Sequence, residues 1–137
     1  MWILFSLLAA VCFSALFLVF KALELRGVPT FVSLTWVFGL GCLWNVLHTT
    51  VTQQSLRIGP SMLLLFAGTA LLSYIGNGLQ FRATALAPNP GYAVAIVSVQ
   101  VALIAVASAF MFGSELSLLK GCGIGLCFLG VALLAVG

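Results

Sequence analysis

Charge is what this sequence has least of. Its 137 residues include five Lys or Arg, two Asp or Glu and one His, so 5% of positions are charged, against roughly 25% in a soluble domain. So few charges cannot cover a water-soluble fold. With 64% of its residues hydrophobic, the chain reads as an integral membrane protein, and its length as one domain. Acids are scarcest of all. Glu24 and Glu115 stand far apart at expected helix ends, and His48 has no catalytic partner. The glycines follow no strand, so they form no phosphate-binding loop. No enzyme site and no cofactor are expected. The basic residues are scattered rather than clustered, which excludes nucleic acid as a partner. Cys12, Cys42, Cys122 and Cys127 lie inside apolar runs, without His pairing or a CxxC spacing; they read as packed or lipid-facing thiols, and no metal site is expected. A basic n-region is also missing, since no Lys or Arg precedes Lys21. Val11 is too large for the position before a lipoprotein cysteine. The first apolar run is therefore expected to be a retained helix.

What is present is a series of long apolar runs. A bilayer core of about 30 Å needs about 20 apolar residues in a helix. Residues 2–20, 31–51, 61–86, 91–112 and 116–136 meet or approach this, which predicts an all-α membrane protein of five transmembrane helices. The runs are too long, and alternate too little, for barrel strands of about 10 residues. Lys21, Glu24, Arg26, Gly27 and Pro29 mark the first loop; Gln53, Gln54, Arg57 and Pro60 mark the second; Pro88-Asn89-Pro90 stops the third helix. Residues 113–117 form a tight turn in which Ser114 or Ser117 caps the last helix and Glu115 caps or braces it. An odd number of spans puts the termini on opposite sides. Lys21, Arg26 and Arg82 then fall on one side, and Arg57, Lys120 and the N-terminal amine on the other. This near balance leaves two readings open: a cytoplasmic first loop, or copies inserted both ways.

Ser98, Ala102, Ala105 and Ala109 share one helical face, and Gly121 and Gly125 make a small-xxx-small pair. Such faces let helices approach closely in lipid. Polar groups at membrane depth are the binding candidates, because lipid penalises them. Ser73, Asn77, Gln80 and Thr84 share one face of the third helix, with Tyr74 beside them, and Gln100 sits mid-span in the fourth. Interhelical hydrogen bonding is the alternative role for these amides. Arg82 either snorkels to the headgroups or lines a cavity mouth. Trp36, near Trp44 on the second helix, either stacks a substrate ring or packs in lipid. The wetter end of that helix carries Asn45, His48, Thr49 and Thr52 on one face.

The last third carries a resemblance. Ala85-Leu86, then Gly113-Ser114-Glu115-Leu116-Ser117, then Gly123, Leu126 and Gly130 resemble, in order and spacing, the EamA-like repeat of the drug/metabolite transporter superfamily. Phe20-Lys21-Ala22 resembles the end of that family's first helix, and Pro29 the start of its second. The chain departs from the pattern at Trp36, where the family often has a basic residue, and near Val101, where it often has a proline. The resemblance implies a single five-helix unit in a multi-pass setting, in a bacterial-type inner (plasma) membrane. It implies a transporter of small metabolites, a half-transporter that pairs as a homodimer, antiparallel included, or with a paralogue. Small multidrug exporters of that superfamily use a glutamate deep in the first helix; here that helix offers only Ser6, Cys12 and Ser14. Exchange or facilitated transport of a neutral or zwitterionic metabolite is therefore expected rather than carboxylate-driven proton antiport. The alternatives are a subunit of a lipid-linked sugar flippase and a non-transporting accessory membrane subunit.

Overall fold

The first helix, α1, spans Trp2–Leu25, five residues beyond the apolar run that announces it. Its 24 residues reach about 36 Å at 1.5 Å per residue, more than a hydrocarbon core requires. Lys21 and Glu24 thus ride on the last turns of the helix rather than in a loop. Gly27 makes the stop. Its φ of +82° is a left-handed conformation that glycine adopts without a Cβ clash. Gly27 N–H then bonds the Glu24 carbonyl (2.8 Å) and Val28 N–H the Leu23 carbonyl (3.1 Å), the paired bonds of a Schellman cap. Helix α2 spans Thr30–Val51 behind the extended Pro29. It ends in the same cap without a glycine: Gln53 takes the left-handed position at φ +54°, and Gln54 N–H bonds the Thr49 carbonyl (2.9 Å). Helix α3 spans Pro60–Leu86. It opens on a proline, whose missing N–H costs nothing at that position, and ends short of Pro88, which disfavours helical backbone in the residue before it.

The computed structural model describes residues 1–113 and 117–136. They form two compact units, Met1–Ala85 and Leu86–Gly137, which are taken in turn. No strand occurs among the described residues. Among the described residues four stretches are long and apolar enough to cross a membrane: Trp2–Leu25, Thr30–Val51, Pro60–Leu86 and Pro90–Phe112. The last helix contributes a shorter apolar stretch, Gly121–Leu134.

In the first unit, burial is concentrated at one end. Phe20 near the end of α1, Leu34 near the start of α2 and Phe81 near the end of α3 form the core, with Leu16 and Phe17 against them. The Phe20 and Phe81 rings stack at 3.8 Å between centroids, and Phe17 tilts onto Phe81 at 5.3 Å. At the same end Lys21 Nζ donates to the Ala85 carbonyl, placing a cation on the negative end of α3. Thr30 Oγ1 reaches Glu24 Oε1 at 3.4 Å. Away from this clamp the side chains face outward, with Trp2 75%, Trp44 69% and Leu64 78% exposed. Such exposure costs nothing in hydrocarbon, which is as apolar as leucine. One close approach ties α3 to α2: a Cβ on Gly78 would lie 3.0 Å from Phe31 Cε1.

The second unit holds α4 (Pro90–Val97), α5 (Gln100–Phe112) and α6 (Leu118–Val136). Asn89 caps α4 by accepting Gly91 N–H at 2.8 Å. The fourth span, expected as one helix over 91–112, is interrupted at Ser98 and Val99. There the bonds tighten to i→i+3: Val99 N–H to Ile96 (3.2 Å), Val101 N–H to Ser98 (2.9 Å) and Ala102 N–H to Val99 (3.1 Å). Ser98 Oγ also donates to the Ala95 carbonyl at 2.5 Å. A serine hydroxyl competing for the preceding turn's carbonyls is a recognised cause of helix distortion, so this break needs no proline. The small-residue face is the inner face of α5: Ala102 is buried, and Ser98, Ala105 and Ala109 are half-buried. Its partner lies within the unit, since Ser98 and Ala102 share a crevice with Ile124, Cys127, Phe128 and Val131 of α6. Gly121 and Gly125 stay exposed. Ser117 precedes α6 and its carbonyl accepts Gly121 N–H at 2.9 Å; Ser114 and Glu115, the other residues expected to cap, lie outside the described residues.

Two substitutions probe these features. Gln53→Gly relieves a left-handed non-glycine residue, whose cost is about 1–2 kcal/mol before the entropy of glycine is subtracted. It should raise the unfolding midpoint in detergent by a few degrees. Gly78→Ala asks only that the Phe31 ring tip give way, whereas Gly78→Val should cost about 1–3 kcal/mol of overpacking and lower the midpoint measurably.

Candidate functional site

The polar face of α3 is an inner face, as the spacing predicts: Ser73, Asn77 and Gln80 are half-buried and Thr84 is 1% exposed. Its members do different things. Asn77 Nδ2 donates to the Ser73 carbonyl (2.8 Å) and to Ser73 Oγ (3.1 Å). The amide is thereby fixed, its own oxygen remains an acceptor, and the Ser73 hydroxyl proton is left to donate. Thr84 Oγ1 donates to the Gln80 carbonyl at 2.9 Å. With that bond made and the clamp around it, Thr84 packs rather than presents its hydroxyl.

The open space lies about three to four turns from Thr84 along α3. Ser73, Tyr74 and Ala70 of α3 face Phe31, Leu34, Thr35 and Phe38 of α2 across a cavity of about 340 Å³. Phe31 and Tyr74 form one wall, their ring centroids 5.7 Å apart and tilted by 33°. Phe38 and Ala70 also line a second cavity of about 670 Å³, bounded by Gly41, Cys42, Asn45, Val46, Thr49, Leu56 and Phe66. The shared residues make the two spaces one cleft between α2 and α3. Each of the two spaces lies in the size range of small-molecule sites, about 300–1,000 Å³. Its polar groups are sparse and defined. Thr35 Oγ1 donates to the Phe31 carbonyl (2.8 Å) and Asn45 Nδ2 to the Gly41 carbonyl (2.9 Å), so both keep oxygen acceptors. No carboxylate, ammonium, guanidinium or imidazole occurs among the described lining residues.

The cleft takes in some of the expected site residues and leaves others out. Ser73 and Tyr74 line it, and Asn77 braces Ser73 from the next turn. Arg82 is exposed at the clamped end, about 12 Å along the α3 axis from Tyr74. Trp36 is 66% exposed on another face of α2. Gln100 belongs to the second unit, where it is exposed at the start of α5, directly after the helix break. Of the wet end of α2, Asn45 and Thr49 line the cleft, while His48 does not.

Phe31 and Phe38 carry no polar or charged signal that sequence reading weighs as binding, and Thr35 is one hydroxyl among several on the helices. Their i, i+4, i+7 spacing marks a helix face, but every apolar helix has such faces. Only the opposing α3 residues distinguish this one.

The model of the EamA-like transporter family matches residues 1–136. No curated protein and no solved structure matches the chain. An all-helical chain with four membrane-length apolar stretches and a shorter fifth, matched from end to end by this one family, is a multi-pass membrane protein and belongs to the EamA-like transporter family.

Proposed function

We propose that the chain acts as one EamA-like domain, a half-transporter that pairs with a second copy or a paralogue. In this reading it moves small neutral or zwitterionic metabolites by exchange or facilitated transport, in an inner (plasma) membrane of bacterial type. The observation that carries the reading is the α2–α3 cleft: sized for a small molecule, walled by rings, and furnished with the Ser73, Thr35 and Asn45 oxygens. Such groups at membrane depth belong to substrate paths more often than to lipid-facing surface. The uncharged lining also favours neutral cargo, because an unpaired charge there has no counter-ion.

Two considerations support pairing. Inverted repeats around a midplane site are a common transporter plan. The charges fit insertion in either sense: Lys21, Arg26 and Arg82 gather at the clamped end, offset by Glu24, while Arg57 and the N-terminal amine stand at the other.

Two experiments test this reading. Proteoliposomes loaded with a mixed pool of neutral and zwitterionic metabolites should release a subset faster than protein-free vesicles, read by mass spectrometry. Asn77→Leu, which removes the donor that fixes Ser73, should slow that release about tenfold, equivalent to about 1.4 kcal/mol. Release no faster than from empty vesicles sinks the transporter reading. Separately, C-terminal reporters active on one side only should both give signal if copies insert both ways; signal from one side means a fixed orientation and excludes the inverted homodimer.

A further inference from the structure

The half of the cleft nearer the clamp has a specific chemistry. Three aromatic rings and the hydroxyls of Thr35, Ser73 and Tyr74 line it, and no carboxylate, ammonium, guanidinium or imidazole is among its described lining residues. Phe31 and Tyr74 meet at 5.7 Å with a 33° tilt, and Phe38 follows on the Phe31 face two turns along α2. The Phe31 ring is held from behind. It rests on Gly78, where any Cβ would come within 3.0 Å of it, so the absence of a side chain there sets how far the ring sits toward α3. The Ser73 and Thr35 hydroxyls have opposite polarity. Ser73 Oγ accepts from Asn77 at 3.1 Å and so offers its proton, while Thr35 Oγ1 gives its proton to the Phe31 carbonyl at 2.8 Å and so offers its lone pair.

From this we propose that the α2–α3 cavity binds a neutral aromatic molecule carrying one hydrogen-bonding substituent. The ring lies against Phe31 and Tyr74, and the substituent pairs with the Ser73 donor and the Thr35 acceptor. The proposal rests on the transporter reading of the same cleft and adds the substrate class. The volume suits it: an apolar cavity of about 150 Å³ already holds a benzene, and this one offers about 340 Å³. Ring–ring contacts in tilted geometry favour aromatic over saturated ligands of equal area. A charged ligand loses its hydration and finds no opposite charge on either wall. A lipid acyl chain fills the space but leaves the Ser73 proton facing hydrocarbon unpaired, which is unfavourable.

The test uses three ligands of one shape and different charge: 4-fluorobenzamide, 4-fluorobenzoate and 4-fluorobenzamidinium. Each is titrated against the chain in phosphatidylcholine nanodiscs, with empty nanodiscs correcting for partition, and binding is read from ¹⁹F line broadening. The benzamide should bind at least about tenfold more tightly than either ion. Tyr74→Ala and Phe31→Leu should each weaken it by a similar factor, while Leu64→Ala, on the outward face of α3, keeps it. An unchanged unfolding midpoint shows that each variant is folded. Equal or tighter binding of either ion, benzamide binding indifferent to Tyr74→Ala and Phe31→Leu, or no binding beyond empty nanodiscs overturns the proposal. The last result is what an acyl chain occupying the cleft would give. Metabolite release from proteoliposomes made with the same purified protein separates the two failures: if release occurs, the ligand class alone is wrong; if it does not, the transporter reading falls with it.

Discussion

The stack of Phe20 on Phe81, with Lys21 reaching the Ala85 carbonyl beside it, is the contact on which the first unit depends. In water, apolar burial would draw three such helices together along their whole length. In lipid that force is absent, and association rests on close packing and on polar bonds between helices. The clamp supplies both at one point: an aromatic stack at van der Waals distance, and a cation on the carbonyl end of α3. Where neither exists, the helices have no reason to close. The α2–α3 cleft is the space this leaves.

The same economy governs the polar groups. Most hydroxyls and amides in the spans bond to a carbonyl one turn back, as Ser6, Ser14, Thr35, Asn45, Thr69, Asn77 and Thr84 do. A bond within the helix satisfies a donor but leaves an oxygen free to accept. A membrane helix can thus carry polar residues at small cost and still present acceptors to a cleft. At Ser98 the same habit has a different outcome. Its hydroxyl takes the Ala95 carbonyl at 2.5 Å, the local bonds shorten to i→i+3 and the fourth span divides into α4 and α5. Thr69 makes an i−4 bond, and Thr49 and Thr50 make i−3 bonds, inside unbroken helices, so a hydroxyl bond to the preceding turn does not by itself divide a helix.

Much of the fold was legible in the sequence. Near-absence of charge fixes the solvent as lipid, and run length then fixes helices, because backbone groups in hydrocarbon must bond within their own segment. Pro29, Pro60 and Pro90 mark starts, and Gly27 and Gly113 mark ends, for reasons that hold in any chain. The Ser73–Asn77–Gln80–Thr84 spacing puts four polar residues on one face of α3, and the structure turns that face inward, since polar residues avoid lipid wherever the fold allows. The Ser98, Ala102, Ala105 and Ala109 face is also turned inward, with Ser98 and Ala102 set against α6.

What the tertiary structure alone decided is how those faces are used. Periodicity assigns residues to a side of a helix but not to a neighbour, so nothing in the sequence separates Thr84, sealed in the clamp, from Ser73, open to a cavity. Gln53 shows the same limit locally: a left-handed residue is expected to be glycine, and only the cap bonds around it reveal that glutamine holds the position. Phe31, Thr35 and Phe38 are three more apolar or weakly polar positions among many until α3 is set against them, with Gly78 bringing Phe31 within reach of Tyr74. The sequence determined that the chain lives in lipid and which sides of its helices face inward, because those follow from local composition and spacing. Which inward face encloses a cavity was decided by where the helices clamp, a property of contacts between residues far apart in the chain.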